Sequence, residues 1–129
     1  MNDFSVLSDD VDCYCQAPIK LGIHSRVSQY SYLCSASHDY EVLPMTMILG
    51  PITIGDYAWV CADVYVGLGV TIGEGAVVGS RSSVYKDVKP WSVVAGNPVR
   101  FIRKRIVRPD RPMKEPPPTI QIRKSRKEK

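Results

Sequence analysis

Aliphatic residues recur in this chain at every sixth position, a spacing that neither a lone strand nor a helix produces. From Ile54 the series runs Ile54, Val60, Val66, Ile72, Val78 and Val84. Four places after each stands a small or β-branched residue: Ala58, Val64, Val70, Ala76, Ser82 and Val88. Glycine often follows the aliphatic position directly, at Gly55, Gly67, Gly73 and Gly79. Side chains alternate along a strand and return about every 3.6 residues on a helix, so an amphipathic helix would lose this phase within two repeats. A sixfold period rich in β-branched residues and glycine predicts an all-β fold, a parallel β-helix of hexapeptides. Each hexapeptide is one short strand plus a turn, and three of them close a triangular coil. First-position aliphatics point inward and stack coil on coil, and small fifth-position residues permit the corner.

The same phase extends upstream. Val27, Ser31 and Leu33 keep it, as do Leu7 with Val11 and Cys13 with Ala17, and a two-residue slip begins at Ile19 before Leu21. Between Asp39 and Ile52 the repeat is lost, which predicts a loop extruded from the coil. Loops of that length without regular structure are usually functional or mobile. The repeats amount to about three and a half coils. So short a solenoid leaves apolar surface at its ends and sides, and oligomerisation is the expected remedy.

Length and charge narrow the picture. The 129 residues suffice for one compact domain and not for two. No apolar run approaches the roughly 18 residues of a membrane span, and the N-terminus lacks the basic-then-apolar pattern of a signal peptide. A cytoplasmic location without a membrane span is the expectation. Cys13, Cys15, Cys34 and Cys61 form no CxxC pair, and with two histidines they match no zinc-ligand spacing. Reduced thiols and no metal are expected. The net charge of +4 is unevenly placed: residues 103–129 carry eleven Lys/Arg against three acids, and residues 1–102 carry six against ten. The same end holds five of the ten prolines. Few large apolar groups are left there to offset ordering entropy, so 1–107 reads as the domain and 108–129 as a flexible Pro/Lys/Arg-rich tail. Its basic run at 123–127 reads as solvated, and no nucleic-acid partner is expected.

Four stretches carry a family resemblance: Tyr32-Leu-Cys-Ser-Ala-Ser-His-Asp-Tyr40, Ile54-Gly-Asp-Tyr-Ala-Trp-Val60, Val78-Gly-Ser-Arg-Ser-Ser-Val-Tyr-Lys-Asp-Val88, and Val94-Ala-Gly-Asn-Pro-Val-Arg-Phe-Ile-Arg103. From about Leu7 to Arg105 the chain resembles the hexapeptide-repeat acyltransferases, and among them the colanic acid biosynthesis O-acetyltransferases related to galactoside and maltose enzymes. The resemblance implies a left-handed parallel β-helix, a homotrimer with active sites between subunits, and acetyl-CoA lying along a coil edge. Members of the colanic acid group usually carry several dozen residues before the point where this chain begins, so an exposed top coil is expected.

Acetyl transfer to a hydroxyl needs a base for the hydroxyl proton, and histidine has the right intrinsic pKa for it near neutral pH. His38 stands immediately before the extruded loop and matches the family's catalytic histidine. Asp39 either orients the ring by accepting a hydrogen bond or caps the loop. The resemblance places Ala62, Gly79 and Ser80 where the pantetheine arm approaches the backbone, and Lys86, Arg100 and Arg103 at the nucleotide end of CoA. Trp59 matches a tryptophan that lines the cleft in relatives. Tyr14, Gln16 and Tyr32 lie near the histidine's coil as candidates for bonding a sugar hydroxyl. His24 reads as solvated surface. The leading expectation is an acetyl-CoA-dependent O-acetyltransferase acting on a saccharide hydroxyl in exopolysaccharide or glycan biosynthesis. The alternatives are a xenobiotic O-acetyltransferase, favoured by the apolar loop residues Leu43, Met45, Met47 and Ile48, and a non-catalytic truncated trimer.

Overall fold

The computed structural model describes residues 4–108, so the segment expected to form a tail lies outside the described residues apart from Arg108. Fifteen short strands and no helix make up the described chain, and no helix there is long and apolar enough to cross a membrane. The predicted parallel β-helix is present: on each of three faces, strands of successive coils pair in parallel, and the antiparallel pairs are Ala36–His38 with Met47–Leu49 and Ser92–Gly96 with Val99–Lys104.

Three inward columns record the six-residue period. The first face stacks Leu7, Val27, Val60, Val78 and Val94. The second stacks Cys13, Leu33, Val66 and Val84. The third stacks Leu21, Ile54 and Ile72, with Val88 bridged to Ile72. The coils number four complete turns and the opening strand of a fifth, against the three and a half expected. Two inward positions lie beyond the regular series that ends at Val84: Val88, read from the period as a corner residue, completes the fourth coil on the third face, and Val94 opens the fifth. Val84 to Val88 is four residues, against six in the regular repeat, so the chain comes round early there. Most of this column is sealed, with Val27, Leu33, Val60, Val66, Ile72, Val78 and Val84 all at 0% exposure. The corner residues Ala58, Val64, Val70, Ala76, Ser25, Ser31 and Ser82 are buried too, where a larger side chain would have no room.

The regular six-residue corners each hold one residue in the left-handed backbone region, and eight of the nine non-glycine residues found there sit at corners. One corner column consequently stacks rings: His24 lies between Phe4 (4.9 Å between centroids) and Tyr57 (5.2 Å). His24 is thus a stacking residue rather than solvated surface, because its corner aligns with aromatic corners in neighbouring coils. Farther along the column, Gly75 (φ +67°) leaves the space that the Trp91 ring occupies. Arg105 closes the column: its guanidinium donates to the carbonyls of Tyr57 (2.8 Å) and Gly75 (3.0 Å) and lies over the Trp91 ring. This arginine anchors the antiparallel strand Val99–Lys104 that leaves the helix alongside Ser92–Gly96. Arg105→Ala is expected to cost about 1–2 kcal/mol, the value of charge-assisted hydrogen bonds partly open to water, measurable by urea unfolding.

The interruption of the repeat is not the structureless loop the sequence suggests. Strands Ala36–His38 and Met47–Leu49 pair antiparallel, with Ala36 opposite Leu49 and His38 opposite Met47. A β-hairpin therefore projects from the second coil before the chain rejoins the third face at Ile52–Ile54. Antiparallel pairing satisfies the backbone of a segment that has no coil to pair with.

Candidate active site

His38 ends the outgoing strand of the hairpin, and its ring faces back to the tip. Nδ1 lies 3.1 Å from the carbonyl of Met45, a residue held in the left-handed region at φ 60°. A carbonyl can only accept, so this contact assigns a proton to Nδ1, and in the neutral tautomer Nε2 is then the acceptor of the ring. The Asp39 carboxylate accepts from the Glu41 backbone N–H at 3.0 Å, the contact that the capping reading of Asp39 expects. A main-chain oxygen thus takes the orienting place that a carboxylate holds in a triad.

Below the histidine is a cavity of about 250 Å³ lined by His38, Tyr14, Tyr32, Tyr65, Met47 and the buried Cys34. Two of the three residues expected to bond an acceptor, Tyr14 and Tyr32, meet His38 here. Gln16 does not line it. Ser35, at 0% exposure, organises this wall: its hydroxyl donates to the Tyr14 carbonyl (2.8 Å) and accepts from the backbone N–H groups of Gln16 and Ala17 (both 2.9 Å). Ser35→Ala would leave three backbone polar groups without that partner. A loss of about 2–4 kcal/mol of stability is expected, read from the denaturant midpoint.

The phenols of Tyr32 and Tyr65 are pushed up to about 12, Tyr32 chiefly by its contact with the Cys34 thiol and Tyr65 chiefly by desolvation. Both therefore stay protonated at any physiological pH and act as hydrogen-bond donors. Burial likewise raises the thiols of Cys13 and Cys61 above the usual range, which keeps them in the inert thiol form.

The residues expected to hold CoA lie in other clefts of the same chain. Ala62 and Ser80 line a cleft of about 530 Å³ with Tyr30, Asp63 and Arg81 at the corner between the first and second faces. Gly79 lies on the coil beside Ala95, where an added Cβ would come within 3.0 Å of the alanine methyl. Lys86 borders a cleft of about 440 Å³ with Val99 and Phe101, and Arg100 and Arg103 stand exposed on the strand that carries those two. Trp59, exposed at 44%, donates from Nε1 to Ser28 Oγ (2.9 Å) and lines a cleft of about 430 Å³ with His24, Arg26 and Arg105 on the first face. It does not pack under the hairpin. Seven of the expected site residues thus fall in four clefts with no lining residue in common, and Gln16, Asp39, Gly79, Arg100 and Arg103 line none of the four. Sequence reasoning missed Tyr65, although it precedes inward Val66 as Tyr32 precedes Leu33, and the shared offset was the available signal.

No family model matches the chain. Among curated proteins it is 45% identical over 106 residues to WcaF of Escherichia coli strain K12, which is named as a colanic acid biosynthesis acetyltransferase. That match takes in 82% of this chain and 58% of WcaF, so the chain spans a little over half of its relative's length. A chloramphenicol acetyltransferase of Agrobacterium fabrum is 45% identical over 56 residues, 43% of this chain and 27% of that protein. Among solved structures, the hexapeptide-repeat-containing acetyltransferase VCA0836 of Vibrio cholerae superposes with a TM-score of 0.75 at 34% identity, over 79% of this chain and 60% of that one. The same enzyme complexed with acetyl-CoA superposes at 0.66 and 26% identity, over 79% and 68%. The parallel coils agree with these likenesses, and the chain belongs to the hexapeptide-repeat acyltransferases of left-handed β-helix fold.

Proposed function

We propose that the protein transfers the acetyl group of acetyl-CoA to a saccharide hydroxyl, with His38 as the general base. The observation that carries this reading is the Nδ1–H bond from His38 to the Met45 carbonyl, which leaves Nε2 free beside three phenols in a cavity that can hold a hydroxyl-bearing ring. Nε2 takes the hydroxyl proton as the oxygen attacks the thioester carbonyl. Collapse of the tetrahedral intermediate expels the CoA thiolate, and the imidazolium returns the proton to it, so acetyl ester and free thiol are the products. A backbone N–H near Ala62, or a water, would stabilise the oxyanion. No covalent enzyme intermediate is needed.

Ala62, Gly79 and Ser80 fit a donor arm that must approach the backbone, because none has a side chain beyond one heavy atom past Cβ. Lys86, Arg100 and Arg103 would meet the nucleotide phosphates. These groups and Trp59 lie in clefts apart from His38, which supports a homotrimer in which His38 of one copy faces the donor groove of the next. The exposed apolar hairpin supports the same assembly, since Leu43 is 88% exposed and Met45, Met47, Ile48 and Leu49 are each 41–52% exposed. Water contact with such surface costs about 25 cal/mol per Å². Thiol release from acetyl-CoA in the presence of candidate sugars tests the reading. Release that depends on a sugar and on intact His38 is expected, and release indifferent to both would refute it.

The apolar hairpin and the 56-residue likeness to chloramphenicol acetyltransferase favour a second reading, in which the acceptor is an apolar antibiotic. Resistance profiling of cells that express the chain separates the two. Calorimetry separates both from a scaffold without turnover: an enzyme binds CoA with micromolar affinity, and a scaffold shows no heat at millimolar CoA.

A further inference from the structure

Four tyrosines cross the outer surface of the second face, one from each coil, and they are placed by two interleaved columns. The positions just before the inward residues hold Asp12, Tyr32, Tyr65 and Ser83, and the positions just after hold Tyr14, Cys34, Gly67 and Tyr85. Tyrosines occupy the second column in the outer coils and the first column in the inner two. The small residues Cys34 and Gly67 stand beside Tyr32 and Tyr65 and give their rings space. At Gly67 an added Cβ would sit 3.5 Å from the Tyr65 ring and 3.7 Å from the Tyr85 ring, so the two rings flank its bare backbone. Ring centroids of Tyr32 and Tyr65 are 5.7 Å apart at 72°, and those of Tyr65 and Tyr85 are 5.9 Å apart at 46°. The ladder starts in the His38 cavity with Tyr14, Tyr32 and Tyr65 and leaves it at Tyr85, which is 55% exposed.

We propose that this ladder is a saccharide platform, an extended acceptor subsite that holds linked sugar residues beyond the one at His38. The inference rests on the acceptor being a saccharide, as proposed above, and it narrows that class to oligo- or polysaccharide. The rings are inclined to one another, so they do not form the parallel slot that a flat heterocycle would enter. They offer an apolar, stepped surface with a hydroxyl at each step. A pyranose ring has the matching character, with C–H groups on its faces and hydroxyls around its edge. Tyrosine supplies such amphipathic contact area at low entropic cost, since only two side-chain torsions are fixed. An apolar drug would gain nothing from the phenol hydroxyls and would pay to desolvate them.

Calorimetric titration of the full chain without CoA tests this, with glucose, cellobiose and cellotetraose as one series and galactose, β1,4-galactobiose and β1,4-galactotetraose as the other. In at least one series, affinity is expected to rise tenfold or more from mono- to tetrasaccharide, and Tyr85→Ala is expected to abolish the rise. Equal affinities across both series would overturn the platform, as would a rise that survives Tyr85→Ala. A Tyr85→Ala chain that loses CoA affinity but keeps the length dependence would also overturn it. If monosaccharides support thiol release without any gain from length, only the platform fails. If no saccharide binds and none supports thiol release, the proposed acceptor class fails with it.

Discussion

Replacing His38 with alanine is expected to lower acetyl transfer about 10²–10⁴-fold, the usual contribution of a positioned general base. The ring is exposed, and its hydrogen bond in the described structure is to the Met45 carbonyl on an equally exposed hairpin tip. Removing it therefore disturbs no core packing, and unfolding midpoint and CoA affinity should stay at wild-type values. The rate loss should appear in kcat/KM for the acceptor, measured as thiol release. Normal turnover by His38→Ala would refute the assignment of the base. A loss of CoA binding equal to the loss of rate would move His38 from proton transfer to donor binding.

The largest effect on stability is expected from Ile72→Ala, at about 2–5 kcal/mol, the range for truncating a sealed aliphatic side chain. Ile72 is at 0% exposure on the third face, stacked between Ile54 and Val88, and its carbonyl accepts from the Gly55 N–H at 2.7 Å. In a solenoid each coil touches only its neighbours, so a cavity in the third turn weakens the joint between the two halves of the stack. Guanidinium unfolding monitored by far-ultraviolet circular dichroism reads the change directly. A cost below about 1 kcal/mol would mean that the coils relax into the void, contrary to the tight columns described here.

The coil was legible because one property, inward stacking, constrains every sixth residue and leaves glycine or a small side chain at fixed offsets. The two-residue slip before Leu21 could be read for the same reason. The short corner ending at Val88 could not, because valine suits both a corner and an inward position, and only pairing with Ile72 tells them apart. The hairpin was legible as an interruption but not as strands: apart from buried Ala36 its strand residues are exposed, and they show no alternation to betray a pleat. His38 stood out through its motif and its place beside that interruption. The Met45 carbonyl that orients it could not, since main-chain acceptors leave no trace in residue identity. The tyrosine ladder belongs to a third kind of feature. Its successive members are 18 to 33 residues apart, in coils whose register had to be known before their offsets could be compared.

The central claim is that acetyl transfer needs His38 of one copy and the donor groove of another, and mixed assembly tests it most directly. Chains carrying His38→Ala and chains carrying Arg100→Ala with Arg103→Ala are each expected to be inactive alone. Unfolded together and refolded as mixed trimers, they should regain thiol release, because some interfaces then join an intact histidine to an intact groove. Two inactive parents that give no activity at any mixing ratio, or a 14 kDa species that is fully active at sedimentation equilibrium, would contradict the claim.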